Sequence, residues 1–184
     1  MRDFTEKALE SNLVFDGKVI KVYTDKVILP NGRVGYREVV RHRGAVAAVP
    51  YQDGKVYLVR QFRYAAKKHL LEIPAGKLDA EDEDPQWRME EELMEEIGKR
   101  PGELEYLGYI YTSPGFATEK IHLYLATDLV DEKRKADEDE FLEVVEIELE
   151  EAVKMCISGE IVDSKTVAAI LRAWHKIRGG IRLW

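Results

Sequence analysis

The unbroken apolar run Ala45-Val46-Ala47-Ala48-Val49-Pro50-Tyr51 constrains the fold of this chain most tightly. It is too short for a core helix and is bounded by turn residues, the pattern of a strand buried on both faces. Gln52-Asp53-Gly54 follows as a tight turn, and Lys55–Arg63 reads as a second buried strand, so the two form a hairpin. Further strands are expected over residues 18–29, 36–42, 104–112, 120–129 and 143–148, with short apolar pieces at 13–15 and 70–73. Pro30-Asn31-Gly32 marks a turn, and Pro74-Ala75-Gly76 is expected to break the strand before it. Asp84-Pro85 opens a helix in which Met89, Leu93 and Ile97 recur at i, i+4 and i+8, and Gly98 with Pro101-Gly102 closes it. Two more helices are expected over 150–157 and 164–177. This order predicts an α+β chain, a mixed β-sheet with helices packed on its faces.

A chain of 184 residues, 45% hydrophobic, is long enough to bury a core as one domain with an appended segment. No apolar run approaches the roughly 18–20 residues of a membrane span, and the N-terminus carries no apolar signal segment. The single cysteine, Cys156, cannot form an internal disulfide, so a cytoplasmic location is expected. A net charge of −7 argues against nonspecific nucleic-acid binding. It leaves an anionic substrate open, because carboxylates hold divalent cations and those cations hold phosphates.

The expected helix from Pro85 to Gly98 carries Glu90, Glu91, Glu92, Glu95 and Glu96. Glu92, Glu95 and Glu96 stand at i, i+3 and i+4 and share one face. Like charges so placed destabilise a helix unless a cation neutralises them. A solvated acidic face and a divalent-metal site both satisfy this spacing.

With Leu71-Glu72-Ile73-Pro74-Ala75-Gly76-Lys77-Leu78 before it, Glu83-Asp84-Pro85 at its start and Glu95-Glu96-Ile97-Gly98 at its end, this segment resembles the Nudix box. That box is a loop–helix–loop with the pattern Gly, five residues, Glu, seven residues, Arg-Glu-apolar-any-Glu-Glu-any-Gly-apolar. The resemblance implies a Nudix-type α/β/α sandwich. It also implies hydrolysis of a nucleoside diphosphate linked to another group, with Mg²⁺ or Mn²⁺ held by the box glutamates. Three departures stand out. Six residues separate Gly76 from Glu83, Glu91 replaces the box arginine, and Lys99 replaces the last apolar residue. In the family that arginine pairs with the glutamates. Arg88, one turn before Glu92, is the substitute cation available here, and an ordinary surface i,i+4 pair is the other reading of it.

The flanks narrow the resemblance to the ADP-ribose pyrophosphatase branch. Leu29-Pro30-Asn31-Gly32, Arg37-Glu38-Val39-Val40, His42-Arg43-Gly44-Ala45-Val46, Val59-Arg60-Gln61-Phe62-Arg63-Tyr64, Ser113-Pro114-Gly115-Phe116-Ala117-Thr118-Glu119 and Asp163-Ser164-Lys165-Thr166 are similar to its segments, in order. The resemblance implies residues 1–42 as a β-rich N-terminal segment, a possible arm of a homodimer. It implies residues 43–184 as the catalytic domain, with the box at 76–99. Glu92 and Glu96 are the implied metal ligands, with Glu95 assisting at the catalytic centre and the Ala75 carbonyl as a backbone ligand. The water-activating base is expected in the loop after the Ser-Pro-Gly segment, at Glu138 or Glu140; Glu140 is alternatively a ligand. Arg37, Arg63 and Glu119 match substrate-contacting positions, Arg37 in the neighbouring subunit's pocket, although both arginines also suit cross-strand ion pairs. Tyr36, Tyr64 and Phe116 suit either adenine stacking or packing. His42 and His122 are given no catalytic role.

These residue types suit a pyrophosphate. Two adjacent phosphates repel a nucleophile, so hydrolysis needs cations that spread the charge and a base for the water. The expected activity is cleavage of ADP-ribose to AMP and ribose 5-phosphate. Two alternatives remain open, a hydrolase of another nucleoside diphosphate sugar and a Nudix module that binds such ligands as a sensor.

Overall fold

The computed structural model describes residues 2–80, 82–132, 134 and 141–179. The described chain divides into two compact units, one of Met1–Gly44 with Tyr111–Lys120, the other of Ala45–Ile110 with Ile121–Trp184.

In the smaller unit β1 (Lys7–Asp16), β2 (Lys21–Ile28) and β3 (Val34–Arg41) form an antiparallel three-stranded sheet. The turn between β2 and β3 closes with the Gly32 amide donating to the Leu29 carbonyl at 2.8 Å, and Gly32 holds the positive φ of 81° that favours glycine. Strand β1 runs well beyond the expected apolar piece at 13–15 and is exposed along its whole length. Its alternation is too weak to be read as a strand; pairing to β2 supplies the order. The segment after Thr112 docks on β3. The Val40 amide donates to the Phe116 carbonyl at 2.7 Å, and the Thr118 amide donates to the Val40 carbonyl at 2.9 Å.

The larger unit is built on a seven-stranded sheet. Its path runs β12 (Leu142–Glu148), β5 (Lys55–Arg63), β4 (Ala45–Gln52), β10 (Lys120–Thr127), β9 (Glu103–Tyr111), with β6 (Lys68–Glu72) on β5 and β7 (Ala75–Lys77) on β4. Strands β4 and β10 pair in parallel, while β5, β6, β7 and β12 join antiparallel, so the sheet is mixed. Two further short strands, β8 (Lys99–Arg100) and β11 (Val130–Asp131), pair with each other.

Strand β4 explains the layering. Ala45, Ala47 and Val49 face one core with Leu58, Ile73, Leu123 and Ile170, and α2 (Leu149–Ser158) and α3 (Ser164–Ile177) close that side. Val46 and Ala48 face a second core with Met89, Leu93, Tyr124 and Ala126, closed by α1 (Pro85–Glu96). A strand packed on both sides cannot alternate apolar with polar, which is why the run from Ala45 reads as continuous. The result is the expected α/β/α sandwich with a mixed sheet. No described helix is long and apolar enough to cross a membrane.

Helix α1 starts where expected: Pro85 occupies its first turn, and the Asp84 carboxylate accepts from the Gln86 amide at 2.9 Å. Helix α3 starts at Asp163, whose carboxylate accepts from the Thr166 amide at 3.0 Å. Pro74-Ala75-Gly76 does end β6, but the chain then re-enters the sheet as β7, with Ala75 opposite Ala47 and Gly76 opposite Val46. Only the partner strand β4 makes Ala75–Lys77 a strand; the Pro74-Ala75-Gly76 sequence signals a turn.

Candidate active site

The α1 stripe of Met89 and Leu93, both fully buried, fixes the rotation of the helix on the sheet. That rotation turns Glu92 and Glu96 inward, to 4% and 7% exposure, and leaves Glu95 half-buried. Buried carboxylates are costly unless paired. Glu96 Oε2 accepts from the Ala75 amide at 3.0 Å, which ties the last turn of α1 to β7. Glu92 leans over the same turn. A Cβ on Gly76 would lie 1.7 Å from Glu92 Oε1, so the glycine is what lets the carboxylate approach the backbone. Glu92 and Glu96 thus meet the Ala75-Gly76 turn, while Glu95 stands half-buried on the same helix.

Glu92 also forms an ion pair with Arg88 one turn earlier, so the expected substitute cation is engaged with a box carboxylate. Burial alone would loosen the Arg88 proton, but the charges of Glu92, Glu95 and Asp79 outweigh it and raise the guanidinium pKa further. Glu91, in the place of the box arginine, is buried at 8% exposure and pairs with Arg134. Arg134 is held to the helix a second time by its amide, which donates to the Met94 carbonyl at 3.1 Å. The charge reversal at Glu91 is therefore compensated from a segment 43 residues away, and no local spacing signals it.

Among the described residues no three carboxylate, imidazole or thiol side chains already gather as a metal-ligating cluster. The donor set nevertheless fits a hard divalent cation. Two buried carboxylates meet a backbone turn that glycine keeps open, and Mg²⁺ takes oxygen ligands from few side chains while keeping several waters.

Arg63 ends β5 and Glu72 ends β6. The Arg63 guanidinium grips Glu72 with two bonds, Nε to Oε1 at 2.7 Å and Nη2 to Oε2 at 2.9 Å. Those bonds raise the Arg63 pKa; burial opposes them, and the charges of Glu72, Glu96 and Asp163 add to the rise. Arg63 thus feels the field of a box glutamate. Glu72, at 1% exposure, is the most buried charge described, and Lys165 of α3 holds it from another element. Glu72 and Lys165 both lie in motifs, but their separation of 93 residues hides the pair.

The remaining candidates belong to the smaller unit or to residues outside the described set. Arg37 on β3 grips Glu6 with two bonds, Nε to Oε2 at 2.9 Å and a second from Nη2 to Oε1, and its Nη1 donates to the Tyr36 carbonyl at 2.8 Å. Glu119 accepts from the Thr112 hydroxyl at 2.7 Å, and its other oxygen lies 3.6 Å from His42 Nδ1. That nitrogen already accepts from the Gly44 amide at 3.0 Å, so it has no proton to offer Glu119. Glu138 and Glu140 lie outside the described residues.

The site is thus a mixed sheet between helices, with α1 presenting buried glutamates to a glycine turn. The Nudix domain matches residues 41–170, and the nucleoside diphosphate sugar hydrolase N-terminal domain matches residues 6–40. The chain belongs to the Nudix family. The ADP-ribose pyrophosphatase of Bacillus subtilis (strain 168) is 45% identical over 173 residues, covering 92% of this chain and 93% of that protein. The methanol dehydrogenase activator of Bacillus methanolicus is 44% identical over 170 residues, 91% of each chain. In fold, the chain is similar to a crystal structure of an ADP compounds hydrolase, with a TM-score of 0.83 over 98% of this chain and 100% of that one, at 22% identity.

Proposed function

We propose that this chain hydrolyses the pyrophosphate bond of ADP-ribose, releasing AMP and ribose 5-phosphate, with Mg²⁺ as cofactor and Mn²⁺ as a substitute. The observation that carries the reading is the convergence of Glu92 and Glu96 on the Ala75-Gly76 turn. The likeness to an ADP-ribose pyrophosphatase along nearly the whole chain supports the choice of substrate.

In this reading Glu92, Glu96 and the Ala75 carbonyl hold the cation, and Glu95 assists from the exposed edge of the same face. When bound, the cation supplies positive charge to the two phosphates and lowers the pKa of water. Arg88, ion-paired with Glu92, orients it. Arg63, already paired on two nitrogens, offers its remaining Nη1 to a phosphate oxygen. Glu140, with Glu138 the second candidate, takes the proton of the attacking water. Glu119 is kept as a substrate contact, and Arg37 as a contact in the neighbouring subunit's pocket.

The chain is further proposed to act in the cytoplasm as a homodimer, residues 1–42 forming the arm and 43–184 the catalytic domain. The support is β1, an edge strand that exposes Leu9, Leu13, Val14 and Phe15, with Phe4 just ahead of it. An exposed apolar edge is a template for pairing with another chain. Sedimentation at micromolar concentration should give a dimer, and Leu13→Glu with Phe15→Glu should give a monomer; a monomeric wild-type chain sinks this assignment.

The activity is tested by incubating the protein with ADP-ribose and Mg²⁺ and following AMP, with Glu96→Gln alongside. AMP release that falls by about 10³-fold or more in the variant is expected. Binding of ADP-ribose without turnover of it or of other nucleoside diphosphate sugars would make the chain a sensor; turnover of another sugar alone would move the substrate.

A further inference from the structure

The larger unit contains a charge network of which the chemistry above uses only Arg63. Glu72 receives Arg63 on both of its oxygens and Lys165 on Oε2. Lys165 Nζ also donates to Asp163 Oδ2 at 3.0 Å. The same Asp163 oxygen accepts from the Thr166 hydroxyl at 2.6 Å, and that hydroxyl accepts from the Ile73 amide at 2.9 Å. The start of α3 is therefore stitched to the end of β6 by the Glu72–Lys165 pair and to Ile73, the next residue, through its backbone amide. Glu72 and Lys165 are nearly inaccessible, whereas the Arg63 side chain keeps 43% of its surface. Two buried groups thus brace an exposed one.

Stability alone does not account for this arrangement. Taking a carboxylate and an ammonium out of water costs about as much as their attraction returns, and an apolar pair of similar volume fills such a site as well. What the pair does supply is orientation. With Oε2 held by Lys165, Glu72 cannot rotate, and its two oxygens then fix the Nε and Nη2 edge of Arg63. We propose that Glu72 and Lys165 are positioning residues that preset the Arg63 guanidinium, so that its Nη1 edge receives a substrate phosphate without first ordering a flexible side chain. This rests on the reading of Arg63 as a substrate contact. It adds α3 to the elements that build the site and separates binding of the diphosphate, through this brace, from its cleavage at the α1 glutamates.

The test compares wild type, Glu72→Gln, Lys165→Met, Lys165→Arg, Arg63→Ala and the double variant Arg63→Ala/Glu72→Gln with ADP-ribose and Mg²⁺. Glu72→Gln and Lys165→Met should raise KM by about tenfold and leave kcat within about twofold, the mark of lost uniform binding. Lys165→Arg should restore most of the loss. The double variant should be no worse than Arg63→Ala, since both act through one group. Multiplicative losses in the double variant, or a lowered Tm with unchanged KM, would overturn the proposal. The paired variant Glu72→Gln/Lys165→Met removes both buried charges together and keeps the comparison available if a single variant fails to fold. If the wild-type chain leaves ADP-ribose intact, the proposed activity fails separately, and the brace is judged by the Arg63 Nε–Hε resonance. Its retention in Lys165→Arg and loss in Lys165→Met supports the inference; an unchanged signal in Lys165→Met overturns it.

Discussion

Gly76 shows how much of this site depends on what is not there. It has no φ requirement that excludes other residues, yet any side chain would occupy the space of the Glu92 carboxylate. Gly76→Ala should therefore expel Glu92 from the turn while leaving both cores untouched. The expected outcome is a loss of Mn²⁺ affinity of about tenfold or more, read by titration, with Tm changed by only a few degrees. Unaltered affinity would mean that Glu92 is not a ligand. Arg88 and Glu91 carry a related lesson. The box has exchanged its charges, with a cation one turn earlier on Glu92 and an anion answered by Arg134. The first half of that exchange is visible in helical spacing. The second is not, because sequence distance says nothing about which loop returns to a helix.

At the scale of elements, α1 is both a wall of the core and the carrier of the candidate site. Met89 and Leu93 seat it on Val46, Ala48, Tyr124 and Ala126. Leu93→Ala should destabilise the fold by about 2–5 kcal/mol, measured by urea unfolding, because nothing nearby is free to fill the gap. A cost below about 1 kcal/mol would mean that the helix settles into the cavity, and the glutamates with it. The central hairpin, the limits of α3 and the start of α1 were legible in the sequence, since each rests on local signals: an apolar run, a turn with Gly54, a capping aspartate. The residues gathered along α1 were legible too, through the spacing of the box. Strands β7, β8 and β11 were not, for they are short and owe their pairing to β4 or to each other. Nor was the bond between Lys165 and Glu72, which joins residues 93 apart in the sequence.

For the whole molecule, the buried network sets a sign for the acid limb of stability. Burial pushes the Glu72 carboxyl up, but the Arg63 bonds and the Lys165 charge outweigh it and hold its pKa below the usual carboxylate value. A depressed folded-state pKa contributes stability that is present above the unfolded value, about 4.3, and is lost as pH falls through the folded one. Thermal unfolding followed from neutral pH downward should show Tm falling below about pH 4, and Glu72→Gln should flatten that fall. An acid limb identical in the variant would show that other carboxylates set it. Cys156 gives a second reading of the same interior: burial raises its thiol to about 11, so alkylation at neutral pH reports global opening.

Strand β4 has a consequence for anyone who would re-engineer this protein. Its side chains are the floor of both cores, and its backbone is the rail along which Ala75 and Gly76 are aligned. A library that enlarges Ala45, Ala47 or Ala48 to gain thermal robustness would overpack buried positions and shift that rail, so melting and metal affinity would suffer together. Robustness is better sought on the solvent faces of α2 and α3, where nothing aligned to the turn is disturbed.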